Sequence, residues 1–165
     1  MKSKAIVVLT DGVDSTASRF DRAATATATT NEAAIAAINP EASPLLNAVL
    51  DTADRQGVTI YPLALPDGTQ KMQTALTPQQ AALYTSARVR LEAVARRTGG
   101  RLHDIRRLED LGRLYAEVAA DMRALYSITY QASGNRKRDG AWRTIRVEVA
   151  RPDLIARTRP GYYAR

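Results

Sequence analysis

The apolar run Ala5-Ile6-Val7-Val8-Leu9, followed at once by Thr10-Asp11-Gly12, constrains the fold more than any other part of the chain. Five consecutive apolar residues predict a strand buried on both faces, the pattern of a parallel sheet. Asp11 and Gly12 stand where such a strand would emerge at its carboxyl end. Open α/β sheets hold their ligands at that end. A carboxylate there is a candidate metal ligand, so Asp11 is the first residue to follow.

Length and composition narrow the alternatives. The chain has 165 residues, 45% of them apolar, which is enough for one domain with a real core and excludes disorder throughout. It has no cysteine, which excludes disulfides, thiol catalysis and cysteine-ligated zinc. No apolar run approaches the roughly 20 residues of a membrane span. Met1-Lys2-Ser3-Lys4 is basic, but Ala5–Leu9 is shorter than the roughly 7–15-residue core of a signal peptide and Asp11 follows, so the run reads as a mature strand. The formal charge is +7, and from Ser133 onward nine basic residues face three acidic ones. That balance permits anionic partners without identifying one.

Helix and strand signals then alternate along the chain. Val13–Arg19 is polar and reads as a loop. Ala23–Thr30 is nearly all alanine and threonine, without a clear local preference. Arg19–Glu41 therefore reads as a low-complexity insertion, partly mobile, with a short helix at Glu32–Ile38. Ser43-Pro44 is a helix start: a capping hydroxyl, then proline in the first turn. Leu45, Leu46, Val49 and Leu50 give that helix an apolar face, and Gly57 can close it. Val58–Leu65 predicts the second strand, ended by the turn Pro66-Asp67-Gly68. Thr77-Pro78-Gln79-Gln80 begins another helix, with Gln80 placed for a capping box. Leu83, Ala87, Leu91 and Val94 recur at helical spacing, and Gly99-Gly100 stops the run. Arg101–Ile105 predicts a third strand. Leu108, Leu111, Tyr115, Val118, Met122 and Leu125 form the stripe of a further helix, with Tyr115 and Met122 read as core fillers. Tyr126, Ile128 and Tyr130, then Ile145, Val147 and Val149, alternate with polar residues and predict a hairpin around the basic loop Ser133–Gly140, with Tyr162-Tyr163 covering part of its apolar face. Strands alternating with helices imply a parallel sheet with right-handed crossovers.

Several of these segments carry a resemblance. Lys4-Ala5-Ile6-Val7-Val8-Leu9-Thr10-Asp11-Gly12-Val13-Asp14-Ser15 resembles the fourth strand and following loop of von Willebrand factor type A domains. Gly57-Val58-Thr59-Ile60-Tyr61 resembles the next strand, and Leu91 to Gly100 the helix and turn before the last one. Leu125–Tyr130, Asp139–Arg143, Ile145–Val149 and Gly161-Tyr162-Tyr163 resemble the tail of a bacterial subgroup named for Acidobacteria. The resemblance implies a three-layer, Rossmann-like parallel sheet reduced to its second half over residues 1–125, with a β-hairpin extension over 126–165. It also implies non-enzymatic protein binding, and an exported or cell-envelope setting when intact. The family's metal-ion-dependent adhesion site holds magnesium or manganese through a D-x-S-x-S loop, a later threonine and an aspartate after the fourth strand. Only the aspartate maps here, onto Asp11. The strands carrying the other two would precede Met1, so the implied site is incomplete and no cofactor is assigned to this chain. Asp14-Ser15-Thr16-Ala17-Ser18 superficially fits a D-x-[ST]-x-S pattern but follows the wrong strand. With the first strand absent, Ala5–Leu9 should lie at a sheet edge and invite self-association or a partner that supplies strands.

Other chemistry is thin. His103, the single histidine, has no triad signature around it. Glu109 and Asp110 suit the first turn of a helix. Thr98-Gly99-Gly100 ends a helix and lacks the lysine of a phosphate loop. No enzyme is expected. Two alternatives to a protein-binding module stand: a truncated remnant without activity, and a basic nucleic-acid binder that uses Arg136, Lys137, Arg138 and Trp142.

Overall fold

A computed structural model describes residues 4–39, 43–66, 76–126, 128 and 139–164. In chain order they form β1 (Lys4–Thr10), α1 (Ser15–Thr25), α2 (Asn31–Ala36), α3 (Pro44–Gln56), β2 (Val58–Ala64), α4 (Pro78–Thr98), β3 (His103–Asp104), a 3-10 turn (Leu108–Asp110), α5 (Leu111–Arg123), β4 (Trp142–Thr144) and β5 (Gly161–Tyr163). The fold is mixed α/β. A parallel sheet has the order β1-β2-β3, and β4 and β5 make a separate antiparallel pair.

The helix ends fall where capping chemistry puts them. Ser43 accepts from the Leu46 amide, Pro44 opens α3, and Gly57 closes it with φ +63°. Thr77 and Gln80 form the reciprocal capping box of α4, and Gly99 closes that helix with φ +81°. Both glycines take the left-handed conformation that side chains resist.

β2 is the buried centre of the sheet. Tyr61 and Leu63, on one face, pack with Ile105 and with Leu114 and Val118 of α5. Ile60, Pro62 and Ala64, on the other face, are also buried, and α3 and α4 pack against β2. The turn after α4 locks onto the edge of β2 that faces β3. Thr98 Oγ1 accepts the Ile60 amide at 3.0 Å, and a Cβ on Gly100 would sit 2.0 Å from the Ile60 carbonyl oxygen. Proline fits mid-strand because residue 62 also faces that edge, where its missing N–H strands no ladder partner. The pairing register of β3 begins only opposite Leu63.

Four expectations are corrected. Val13–Arg19 is not a loop, because α1 begins at Ser15. Asp14 caps it, accepting the Ala17 amide at 2.6 Å. The buried stripe of α1 is Ala17, Ser18, Asp21 and Thr25, too small and polar to register as hydrophobic periodicity. Within the segment 19–41, the described residues 19–39 are packed, not loose. Asp21 forms a buried pair with Arg90, whose Nη2 donates to both carboxylate oxygens at 2.8 and 2.9 Å, and it accepts from Ser86, while Gln79 donates to the Ala28 carbonyl. On α5 the core contact falls on Leu111, Leu114 and Val118, whereas Tyr115 and Met122 are exposed. Helical spacing alone admitted either flank.

The fourth correction concerns the hairpin. Among the described residues, Ile145–Val149 forms no strand, its one long-range backbone bond being that from the Ile145 amide to the Pro160 carbonyl. Tyr126 and Ile128 are exposed outside any strand, and Ser127, Thr129, Tyr130, Arg136, Lys137 and Arg138 lie outside the described residues. The pairing falls instead on Trp142–Thr144 with Gly161–Tyr163. Aromatic anchoring decides it. Trp142 meets Tyr163 edge to face at 5.0 Å, and the Arg97 guanidinium stacks 4.2 Å from the Trp142 ring centre. Arg97 also pairs with Asp54, which ties the ribbon to the helix layer. Gly161 is obligatory there: a Cβ would lie 2.6 Å from the indole of Trp142.

Removing one partner of a buried pair leaves a stranded charge. Asp21→Ala should therefore cost about 3–5 kcal/mol in urea unfolding, and Asp21→Leu combined with Arg90→Met should recover most of that loss. A neutral Asp21→Ala would contradict an integral role for α1.

Candidate functional site

Two features meet at β1: the carboxylate at its end and the backbone along its outer edge. Asp11 follows the last residue of β1 and is exposed. Its Oδ1 accepts the Val13 amide at 3.0 Å, an Asx turn. Gly12 adopts φ +77° and runs so close to α4 that a Cβ would lie 2.8 Å from Leu91 Cδ1. Asp11 borders a cavity of about 220 Å³ with Leu65, Leu76, Ala81, Tyr84, Thr85 and Arg88. Arg88 pairs there with Asp104 at 2.9 Å.

The described residues around Asp11 do not supply the ligand set that magnesium or manganese needs. Magnesium wants about six oxygens in an octahedron. One oxygen of Asp11 is engaged by the backbone, and Asp14, the nearest acid in sequence, serves as a helix cap. Ser18 of the D-x-S-x-S-like stretch is buried and donates to the Asp14 carbonyl. Among the described residues, no three of His, Asp and Glu gather closely enough to hold an ion.

The edge of β1 offers more. The run Ala5–Leu9 is not buried on both faces as the sequence predicts: Ile6 is 49% exposed, Val7 37%, Val8 36% and Leu9 46%. The physical reason is position. The helices cover β2, and β1 has a neighbour on one side only among the described residues. The backbone direction along β1 follows from one bond. The Leu65 amide donates to the Thr10 carbonyl at 2.8 Å, so Thr10 faces β2. Amide and carbonyl of one residue point to the same side of a strand, and successive residues alternate. Lys4, Ile6, Val8 and Thr10 therefore face β2. Ala5, Val7 and Leu9 direct their N–H and C=O groups outward.

His103 plays a different part. It is buried in β3, with Nδ1 3.5 Å from Glu117 Oε2 and Nε2 without a hydrogen-bond partner. Burial lowers its pKa, Arg101 adds to that, and Glu117 and Asp121 oppose it. Tyr61 is shifted up, chiefly by burial and then by Asp121. Neither group hydrogen-bonds to Asp11, and Tyr61 stands opposite Val7 on the inner side of β1. The Asp21–Arg90–Ser86 cluster escaped sequence reasoning, since its members lie up to 69 positions apart with no motif linking them.

Compared with known families and proteins, the chain matches no family model, no curated protein and no solved structure.

Because the folded state resists protonating His103 while the unfolded chain takes its proton near pH 6.5, stability should be fully present above that pH and fall as pH drops below it. The urea midpoint should decline as pH falls below about 6.5. His103→Leu should flatten the decline, and an unchanged pH slope in that variant would contradict the assignment.

Proposed function

We propose that the chain is a non-enzymatic protein-binding module of the von Willebrand factor A type, and that it binds by strand addition at the outer edge of β1. One observation carries this reading: a seven-residue strand whose Ile6, Val7, Val8 and Leu9 all remain more than a third exposed beside an outward row of backbone donors and acceptors. Native sheets guard their edges with charge, proline or a bulge. Lys4 is the only charge within β1, at its first residue, and the strand contains no proline. Main-chain pairing gives affinity in such complexes, and alternate side chains give specificity.

The finer fold belongs to the same reading. Residues 1–125 form the second half of a three-layer, Rossmann-like sheet. In support, α5 packs on one face of β2, and the opposite face is buried as well. Thr10-Asp11-Gly12 ends β1, Val58–Tyr61 opens β2 and Thr98-Gly99-Gly100 ends α4, and this reading takes them as the family's strand-end loop, next strand and helix-ending turn. On this reading Asp11 marks the strand end, and pairing at the β1 edge uses backbone groups and not an ion.

A photo-crosslinking amino acid at Leu9, introduced in the cells that express the chain, tests this. It should give a discrete polypeptide adduct that survives chelation of divalent cations. Absence of any protein adduct would overturn the reading, and loss of the adduct on chelation would return Asp11 to a metal role.

A further inference from the structure

The reading above leaves the partner strand open, and its symmetry names one. We infer that β1 pairs antiparallel with β1 of a second copy, about a two-fold axis perpendicular to the sheet that passes beside Val7. This rests on the proposed edge-binding function.

The outward groups of β1 belong to Ala5, Val7 and Leu9, evenly placed about Val7. In an antiparallel pair, residues whose groups point at each other exchange two hydrogen bonds. Centring the axis on Val7 sets Val7 opposite Val7 of the other copy and Ala5 opposite Leu9, twice. Every outward N–H and C=O of the three residues then has a partner. A two-fold axis perpendicular to the sheet preserves its faces, so only residues of equal parity can stand opposite one another. Ile6 then meets Val8, and Lys4 meets Thr10. Each facing pair in the middle of the strand is aliphatic, the composition that stabilises cross-strand contacts.

Charge selects the direction. In this register Lys4 of each copy stands opposite Thr10 of the other, so the two lysines sit at opposite ends of the seam. A parallel alignment would set Lys4 beside Lys4 and Asp11 beside Asp11. The contact is isologous and closes on itself, giving a dimer and not a fibre. The result is one continuous six-stranded sheet in the order β3-β2-β1-β1-β2-β3, built from the three-stranded sheet of each copy.

The central pairing of Val7 with itself gives a direct test. Like charges placed directly opposite destabilise a strand pair. Val7 is 37% exposed, so a charged side chain can reach solvent there in the isolated subunit. Light scattering of the purified chain at about 0.1 mM should give a mass twice 18.0 kDa. Val7→Lys alone and Val7→Glu alone should each halve it, with unchanged circular dichroism. An equimolar mixture of the two variants should return to the doubled mass, because each lysine then faces a glutamate.

A monomeric wild-type chain overturns the inference, as does a dimer that survives Val7→Lys. A mixture of the folded variants that stays monomeric overturns the register centred on Val7. A monomeric pure chain whose Leu9 position still crosslinks to another protein in cells removes the second copy and leaves edge binding intact. Failure of both experiments removes both.

Discussion

Strand β2 is the constraint on which the rest of the structure depends. Among the described residues it is the one strand with neighbours on both sides, and both its faces are buried. Everything else takes its place from it: β1 by a full seven-residue parallel register, β3 by two residues, α5 by Tyr61 and Leu63, and the α4 turn by Thr98 and Gly100. The same constraint produces the exposed site. Cover gathers on β2, so β1 keeps one neighbour and open faces. Its aliphatic character, suited to a buried strand, is left directed at solvent.

Two interactions between layers keep that arrangement together. The Asp21–Arg90 pair joins α1 to α4, and because both groups are buried it penalises any state that separates them. Arg97 joins α4 to the C-terminal ribbon by stacking on Trp142 while pairing with Asp54 of α3. Each uses an arginine of α4 to hold a segment distant in sequence. The basic character of the chain is therefore partly structural, with arginines spent on internal pairs as well as on the surface.

What was legible in the sequence follows from which signals are local. Ser43-Pro44 with Gly57, and Thr77-Pro78-Gln80 with Gly99, mark α3 and α4 to the residue, because a cap is a contact between neighbours. β1 and β2 were legible from the apolar runs, whereas the edge position of β1 came from the strand order that the family resemblance implies. The first helix was not, since its inward stripe is Ala17, Ser18, Asp21 and Thr25 and its burial is satisfied by hydrogen bonds and a charge pair. The alternation over Ile145–Val149 misled, because Trp142 and Gly161 interlock through shape, which periodicity does not encode. Asp11 was legible as a strand-end carboxylate. The outward row of Ala5, Val7 and Leu9 became visible only once the Leu65–Thr10 bond fixed which residues face β2.

Residue-resolved amide hydrogen exchange tests the central claim, that the outer edge of β1 is an open row of backbone groups. With the chain diluted to a monomer, the amides of Ile6, Val8 and Thr10 should exchange at least about tenfold more slowly than those of Ala5, Val7 and Leu9, since only the first set is bonded within the sheet. Equal protection of all six amides in the monomer would contradict the account, because it would mean that the edge is already covered by the chain itself.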